Sequence, residues 1–586
     1  MKAGRAPDFS PSFQGPVTRL PPRHMTVVKV SLLVCLAGLA VLAGYSVNHT
    51  LAVPAPPLQT LLHLDILYLP DYAARTSLRM FIALGLSLAF SFLYATLAAK
   101  SRRAAQILVP LLDILHSIPA LGFLGFTVAF FLGLFPGQSF GAELAVISTV
   151  FASQAWTMTS GMYHSLRTIP TELEEAARCF GLTSWQKFWR LDVPCAIPAL
   201  VRNAMISMAG GWFVLVYSET IAVGHTRIAL PGIGSYVGMA LSQQNIGAVL
   251  AAILAMIGVI LAYNQLLFRP LTVWASRFRL ETTEQDAILT EPWMLRLLRR
   301  THILRGGVDH LLSFLHRLAS LPLGHRPGRT APSQTLVSKR LSDGLWLSAL
   351  GVIFLGAVKV VWGYGATAYT AEQILHVVIL GFYTLLRVVS MLGLASLLWV
   401  PLGVWLGLNP ARAQRAQMIV QSCAAFPANL LFPLFVATII YVHLTPAVWL
   451  TPLLMLGAQW YIVFNVINGT ASFPADLLEA GETFKVTGFL WWRKIILPGI
   501  TPAYLTGVLA ASGSAWNAAI AAEAVQWGHE TLKVQGLGAY IAQATTDGDL
   551  SAAALGLAVM TLFILALNWL VWRPLSDYAY RRLKLI

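Results

Sequence analysis

The chain has 586 residues; Lys+Arg 40 and Asp+Glu 25 make it only 11% charged against 57% hydrophobic, with a mean hydropathy of +0.67. A soluble domain carries roughly 25% charged residues, so this chain lacks the charge to cover a water-exposed particle of its size. That composition excludes a soluble enzyme, a disordered chain and a nucleic-acid binder, and it specifies a polytopic membrane protein.

In chain order, residues 1–26 form a basic, Pro-rich tail expected in the cytoplasm. The first apolar run begins near Val27 with no small-residue cleavage site after it, so a retained span is expected rather than a signal peptide. With about 20 apolar residues per crossing, the unit 27–268 offers spans at 27–47, 79–99, 107–134, 140–165, 196–223 and 246–268. Residues 269–340 hold twelve Lys/Arg against five Asp/Glu and contain two amphipathic stretches, expected to lie along the inner leaflet lipid. The unit 341–586 offers spans at 344–363, 385–408, 418–442, 446–468, 499–521 and 550–572. Pro, Gly and small residues in the third and fifth span of each unit predict kinks or shortening. The fold class is therefore all-α, with about twelve transmembrane helices.

Clusters at Arg19, Arg23 and Lys29, at Lys100, Arg102 and Arg103, and at Arg269, Arg277 and Arg279 fall on one side when the spans are counted alternately. The positive-inside rule makes that side cytoplasmic, with both termini. It also accounts for the net charge of +15. Cys35, Cys179, Cys195 and Cys423 lie far apart and are read as unpaired thiols.

The two units superimpose at an offset of 304 residues, pairing Glu175 with Glu479, Pro194 with Pro498, Trp212 with Trp516 and Glu219 with Glu523. Gly232 and Gly234 likewise meet Gly536 and Gly538, and Arg269-Pro270 meets Arg573-Pro574. Upstream the offset is 308, pairing Arg79 with Arg387 and Pro119 with Pro427. This is a duplication. Six spans per unit is an even number, so the copies insert the same way up, as parallel repeats about an axis along the membrane normal. Such a plan fits a secondary carrier or a fused pair of pump-driven permease subunits.

Between the fourth and fifth spans stand PTELEEAARCFGLTSWQKFWRLDVP and, in the second unit, PADLLEAGETFKVTGFLWWRKIILP. Pro170 and Pro474 begin helices, and acidic residues favour their first turns. The pattern specifies a short helix with Glu-Ala-Ala exposed, a turn, then a second helix ending before Pro194. Small residues admit another protein and the Glu anchors it.

These residues resemble the membrane subunits of ATP-binding cassette (ABC) importers, whose signature is Glu-Ala-Ala, three residues, Gly, nine residues, then aliphatic-x-aliphatic-Pro. Glu175, Ala176, Ala177, Gly181 and Pro194 satisfy it; Glu479, Ala480 and Pro498 do so too, but Gly481 and Lys485 replace an Ala and the Gly. Leu230-Pro231-Gly232-Ile233-Gly234 looks most like the nitrate/taurine/sulfonate-type permeases. The resemblance implies a type I importer fold in the bacterial inner membrane and docking segments for two copies of a cytoplasmic ATPase. It also implies an extracytoplasmic substrate-binding protein and a small cargo, such as an anion like nitrate, a sulfonate or bicarbonate. ATP and Mg would sit on the ATPase, since this chain has no phosphate-cradling Gly-Lys-Ser/Thr loop and no metal-ligand cluster. No catalytic constellation stands out. The alternative is an ion-coupled secondary transporter, which leaves the repeated Glu-Ala-Ala segments unexplained.

Lys485 raises a local question. A non-Gly residue resists the positive φ of a tight turn, so the turn is expected to move to Gly488 or the helix to run on. Glu219 and Glu523, late in the fifth spans, either line the translocation pathway or pair with His225/His529 or Arg227/Lys533. Trp212 and Trp516 are either a gate on that pathway or helix packing. Asp113 and His116 are expected to pair with Arg102 or Arg103.

Overall fold

Prolines shape the long helices. The computed structural model describes residues 63–136, 138–223, 226–278, 369–527 and 530–582, with a few single positions from 320 to 359. The expected span 27–47, nearly all of 344–363, most of the linker, and Gly224, His225, Gly528 and His529 lie outside the described residues.

The first half runs α1 (Ile66–Lys100), α2 (Arg102–Ser117), α3 (Ala120–Leu134), α4 (Ser139–Arg167), α5 (Thr171–Cys179) and α6 (Ser184–Ser218). A hairpin of β1 (Thr220–Val223) and β2 (Thr226–Ala229) follows, then α7 (Ile233–Ser242) and α8 (Ile246–Ser276). The second half repeats this as α9 (Ala371–Gly407), α10 (Pro410–Ala425), α11 (Ala428–Tyr441), α12 (Pro446–Ala471), α13 (Ala475–Thr483) and α14 (Gly488–Ala522). It closes with β3 (Ala524–Trp527), β4 (Glu530–Lys533), α15 (Leu537–Asp547) and α16 (Leu550–Ala579). Among the described residues, seven helices are long and apolar enough to cross a membrane, or nine counting the two bent pairs α2–α3 and α10–α11. α4, 29 residues long, occupies the expected span 140–165 and is the counterpart of α12. From α5 onward the elements of the two halves begin 304 residues apart, so the duplication holds in three dimensions.

The third spans break as expected. Ile118 and Phe426, each before a proline, take extended ψ of 126 and 128, and the helices bend there by 93° and 70°. The proline ring excludes the helical conformation from the residue before it. The fifth spans do not break, which corrects the reading of a second helix ending before Pro194. Instead, a π turn, Phe188–Asp192, lets the chain run through. Three further π turns, Asn264–Phe268, Trp492–Ile496 and Asn568–Trp572, stand at the same distance before Pro270, Pro498 and Pro574. In each, the residue preceding the proline donates its N–H five residues back, accommodating the ring without a kink.

One continuous apolar core spans both halves. α4 packs on α1 and α6, and α12 packs on α9 and α14. Between halves the bonds are reciprocal. Leu121 N–H donates to Asn517 Oδ1 (3.3 Å), and at the equivalent place Asn429 Nδ2 donates to Phe213 O (3.2 Å).

Candidate functional site

The segments expected to dock an ATPase come first. α5 and α13 each span nine residues and close with the same two bonds. In α5, Gly181 N–H donates to Arg178 O (2.9 Å) and Leu182 N–H to Ala177 O (3.2 Å). In α13, Lys485 N–H donates to Glu482 O (3.0 Å) and Val486 N–H to Gly481 O (2.9 Å). This is the Schellman end, which needs a left-handed residue. Gly181 supplies it at φ 60 and Lys485 at φ 49, so the turn neither moves nor lengthens the helix. Its paired end bonds hold Lys485 against a strain of roughly 1 kcal/mol. Gly481 packs against Ile495, whose Cδ1 would lie 2.6 Å from a Cβ there and would have to turn aside for an Ala.

Glu175 and Glu479 are exposed, while Ala176 and Ala480 are half-buried and Ala177 is buried, which corrects the expectation of a fully exposed Glu-Ala-Ala run. Beside them Phe180 and Phe484 are 82% and 79% exposed. Sequence reasoning missed these phenylalanines; their 304-residue spacing was the available signal. Among the described residues only the first segment is braced by charge: Lys187 pairs with Glu174 (2.6 Å) and Asp192 (3.8 Å), and Lys100 pairs with Asp192 (3.6 Å). Thr183 and Gln186 add a capping box, whereas Thr487 makes no side-chain cap. Leu478, Trp491 and Ile496 stand where Glu174, Lys187 and Asp192 would be.

At the opposite end of α6 the carboxylate of Glu219 is fully buried. It accepts from Thr76 Oγ1 (2.8 Å), Arg79 Nη1 (2.7 Å) and Gly234 N–H (2.7 Å). Thr76 Oγ1 in turn accepts Ile233 N–H at 3.0 Å. Glu219 thus caps α7, where the helix dipole favours a carboxylate. Glu523 repeats the arrangement with Thr384 (2.9 Å), Arg387 (2.8 Å) and Gly538 N–H (2.8 Å). The glycines are needed for close approach. A Cβ on Gly232 would meet Glu219 Oε1 at 2.3 Å, and one on Gly234 would meet Val216 O at 2.0 Å.

The pairing partners of Glu219 and Glu523 are therefore Arg79 and Arg387 on α1 and α9. Lys533 instead donates to Gln543 Oε1. One difference separates the halves. Arg79 also binds Glu143 on α4 through two bonds of 2.6 and 2.7 Å, whereas the second half has no Asp or Glu between Glu372 and Asp476.

Trp212 and Trp516 are buried, against Tyr263 and Phe563 respectively. None of Glu219, Glu523, Trp212 and Trp516 lines the cavity of about 340 Å³ that lies between the halves. Its walls come from the ends of α6 and α14, the hairpins, α7, α15 and the starts of α3 and α11. His116 lines a separate cavity of about 450 Å³ in the first half and lies 3.5 Å from Thr157 Oγ1. Among the described residues no group of His, Cys, Asp or Glu is placed to hold a metal.

Two repeated halves, each joining a short surface helix to a long apolar one, make this a multi-pass membrane protein. The chain belongs to the family of binding-protein-dependent transport system inner membrane components, whose domain occurs twice, at residues 82–268 and 399–573. It is a duplicated permease of the ABC transporter class. It is 31% identical over 169 residues to the glycine betaine/carnitine transport permease protein GbuB of Listeria monocytogenes, covering 29% of this chain and 54% of that one. It is also 27% identical over 178 residues to the nitrate import permease protein NrtB of Leptolyngbya laminosa, covering 30% and 60%. With ProW of Escherichia coli, a glycine betaine/proline betaine transport system permease, it shares 30% over 161 residues, 27% of this chain and 42% of that one. The chain thus spans about half the length of these relatives.

Proposed function

We propose that this chain forms the translocation path of an ATP-driven importer for a small anion in the bacterial cytoplasmic membrane, with both termini cytoplasmic. Two copies of a cytoplasmic ATPase dock on α5 and α13, one at Glu175 and Phe180 and the other at Glu479 and Phe484. A soluble binding protein delivers cargo at the opposite face. The observation that carries this reading is the repeated nine-residue helix with an exposed carboxylate and an exposed phenylalanine at matching places.

The mechanism is mechanical. ATP closes the ATPase pair and moves both docking helices. Each is joined through a tight turn to a helix of 35 residues, α6 or α14, a lever about 50 Å long. The far end of each lever carries a buried Glu that holds the hairpin and the small helix after it. Glu219 and Glu523 act on transport by keeping these outer pieces moving with the lever, and Trp212 and Trp516 by stiffening it. Two packed arrangements of the halves then alternate.

Uptake into proteoliposomes carrying the permease, its ATPase and its binding protein tests this. Accumulation should require internal ATP and be lost when Glu175 and Glu479 are both replaced by Ala. Accumulation driven by an ion gradient without nucleotide would establish an ion-coupled carrier instead.

A further inference from the structure

The cavity between the halves is chemically lopsided. From the first half it takes chiefly apolar side chains, among them Leu121, Leu124, Val237 and Leu241. From the second it takes further apolar side chains, such as Leu430, Phe432 and Val525, together with most of its polar ones, Gln526, Thr531, Lys533, Gln543 and Thr545. The duplication makes this difference informative, because the first half carries Ala222, Ala229, Met239 and Leu241 where the second has Gln526, Lys533, Gln543 and Thr545. At these four positions the second half is polar and cationic where the first is apolar, although Thr531 stands where the first half has Arg227.

Lys533 is the only charged side chain lining this cavity among the described residues, and it makes no ion pair there. Its ammonium donates to Gln543 Oε1, while Gln543 Nε2 donates to Asp547 at 2.8 Å. Asp547 therefore fixes which end of the Gln543 amide faces Lys533, and so steers the ammonium. An ammonium has three donors, so Lys533 keeps donors for a ligand. The second cavity, of about 450 Å³, lies toward the docking end of the first half and is lined by His116, His164 and Arg202. Among the described residues no Asp or Glu lines either cavity.

We infer that the cavity between the halves binds a small organic anion, with its carboxylate or sulfonate on Lys533 and its apolar body against Leu121, Leu124 and Leu241. A volume of about 340 Å³ lies at the small end of ligand sites. An inorganic anion would leave the apolar wall unused. A net-neutral betaine would bring a quaternary ammonium into a site whose charge is positive. This inference rests on the importer reading and narrows its cargo from small anions in general to amphipathic ones.

The test uses the full chain in nanodiscs, titrated with butanesulfonate, butyrate, nitrate and glycine betaine while its thermal unfolding is followed. Butanesulfonate and butyrate should both raise the unfolding temperature, nitrate less and glycine betaine least; the ratio of the first two identifies the preferred head group. Lys533→Ala places in the second half the residue that the first half already carries at Ala229, so the frame tolerates it. It should weaken organic-anion binding roughly tenfold or more, the value of a charge-assisted hydrogen bond, and Lys533→Arg should retain it. Equal stabilisation by glycine betaine, or organic-anion binding unchanged in Lys533→Ala, overturns the inference. The importer reading is scored separately, by ATPase docking and its dependence on Glu175, which Lys533→Ala leaves intact. A chain that couples to ATPase but shows no anion binding at Lys533 refutes only the cargo assignment.

Discussion

Arg79→Met removes a guanidinium that is 4% exposed and binds two carboxylates and a carbonyl at once. Its bonds run to Glu143 (2.6 and 2.7 Å), Glu219 (2.7 Å) and Pro231 O (2.9 Å). Without it Glu219, fully buried, keeps only a hydroxyl and a backbone N–H, whereas Glu143, one-third exposed, can turn to water. Breaking one side of a buried pair costs about 3–5 kcal/mol because an uncompensated charge is left behind. Adding Glu219→Gln removes that charge and should bring the deficit down to about 1–2 kcal/mol, the value of the lost hydrogen bonds. The double variant is therefore expected to be more stable than Arg79→Met alone by about 2–3 kcal/mol. Hydrogen exchange across Thr220–Ser242 reads this directly, because Glu219 caps α7 and holds the hairpin to it. In the second half, Arg387→Met with Glu523→Gln should recover more completely, there being no second carboxylate. If the first double variant exchanges as fast as Arg79→Met, the ion pair is not what holds this end of the lever.

Glu175→Ala should reduce ATPase stimulation in reconstituted complexes more than Glu479→Ala, because only the first docking helix is braced by Lys187, Asp192 and Lys100. Equal losses at matched assembly would show the bracing to be irrelevant to coupling. Lys485→Gly should relieve about 1 kcal/mol of left-handed strain and slow exchange in α13, and Gly181→Ala should do the reverse in α5. An unchanged α13 after Lys485→Gly would mean that its end bonds compensate the strain fully. Gly234→Ala and Gly538→Ala should each disrupt the outer end of their half, since the added Cβ would lie 2.0 Å from Val216 O or 2.3 Å from Ala519 O, backbone atoms that cannot swing aside. Normal expression and transport by both Ala variants would refute that packing argument.

Composition alone determined that this chain lives in a membrane, and self-similarity alone determined that it is one unit written twice. Both are properties that summed residues carry without any knowledge of contacts. The proposed docking helices were legible for a local reason: Pro170 and Pro474 start them, Gly181 ends one, and Glu175 and Glu479 mark the exposed face. Tertiary structure decided what depends on groups far apart in sequence. Arg79 and Glu219 are 140 residues apart, and nothing local in either span announces the other. Hence the sequence offered the neighbouring His225 and Arg227 as partners, and the hairpins passed unnoticed, β1 inside a span read as 196–223 and β3 just beyond one read as 499–521. Lys485 shows the same division at a single residue. Its intrinsic preference argued for moving the turn, yet two end bonds and the packing of Ile495 against Gly481 outweigh a penalty of only about 1 kcal/mol. The cavity is likewise invisible along the chain, because its polar and apolar walls face each other only once the two copies are folded together.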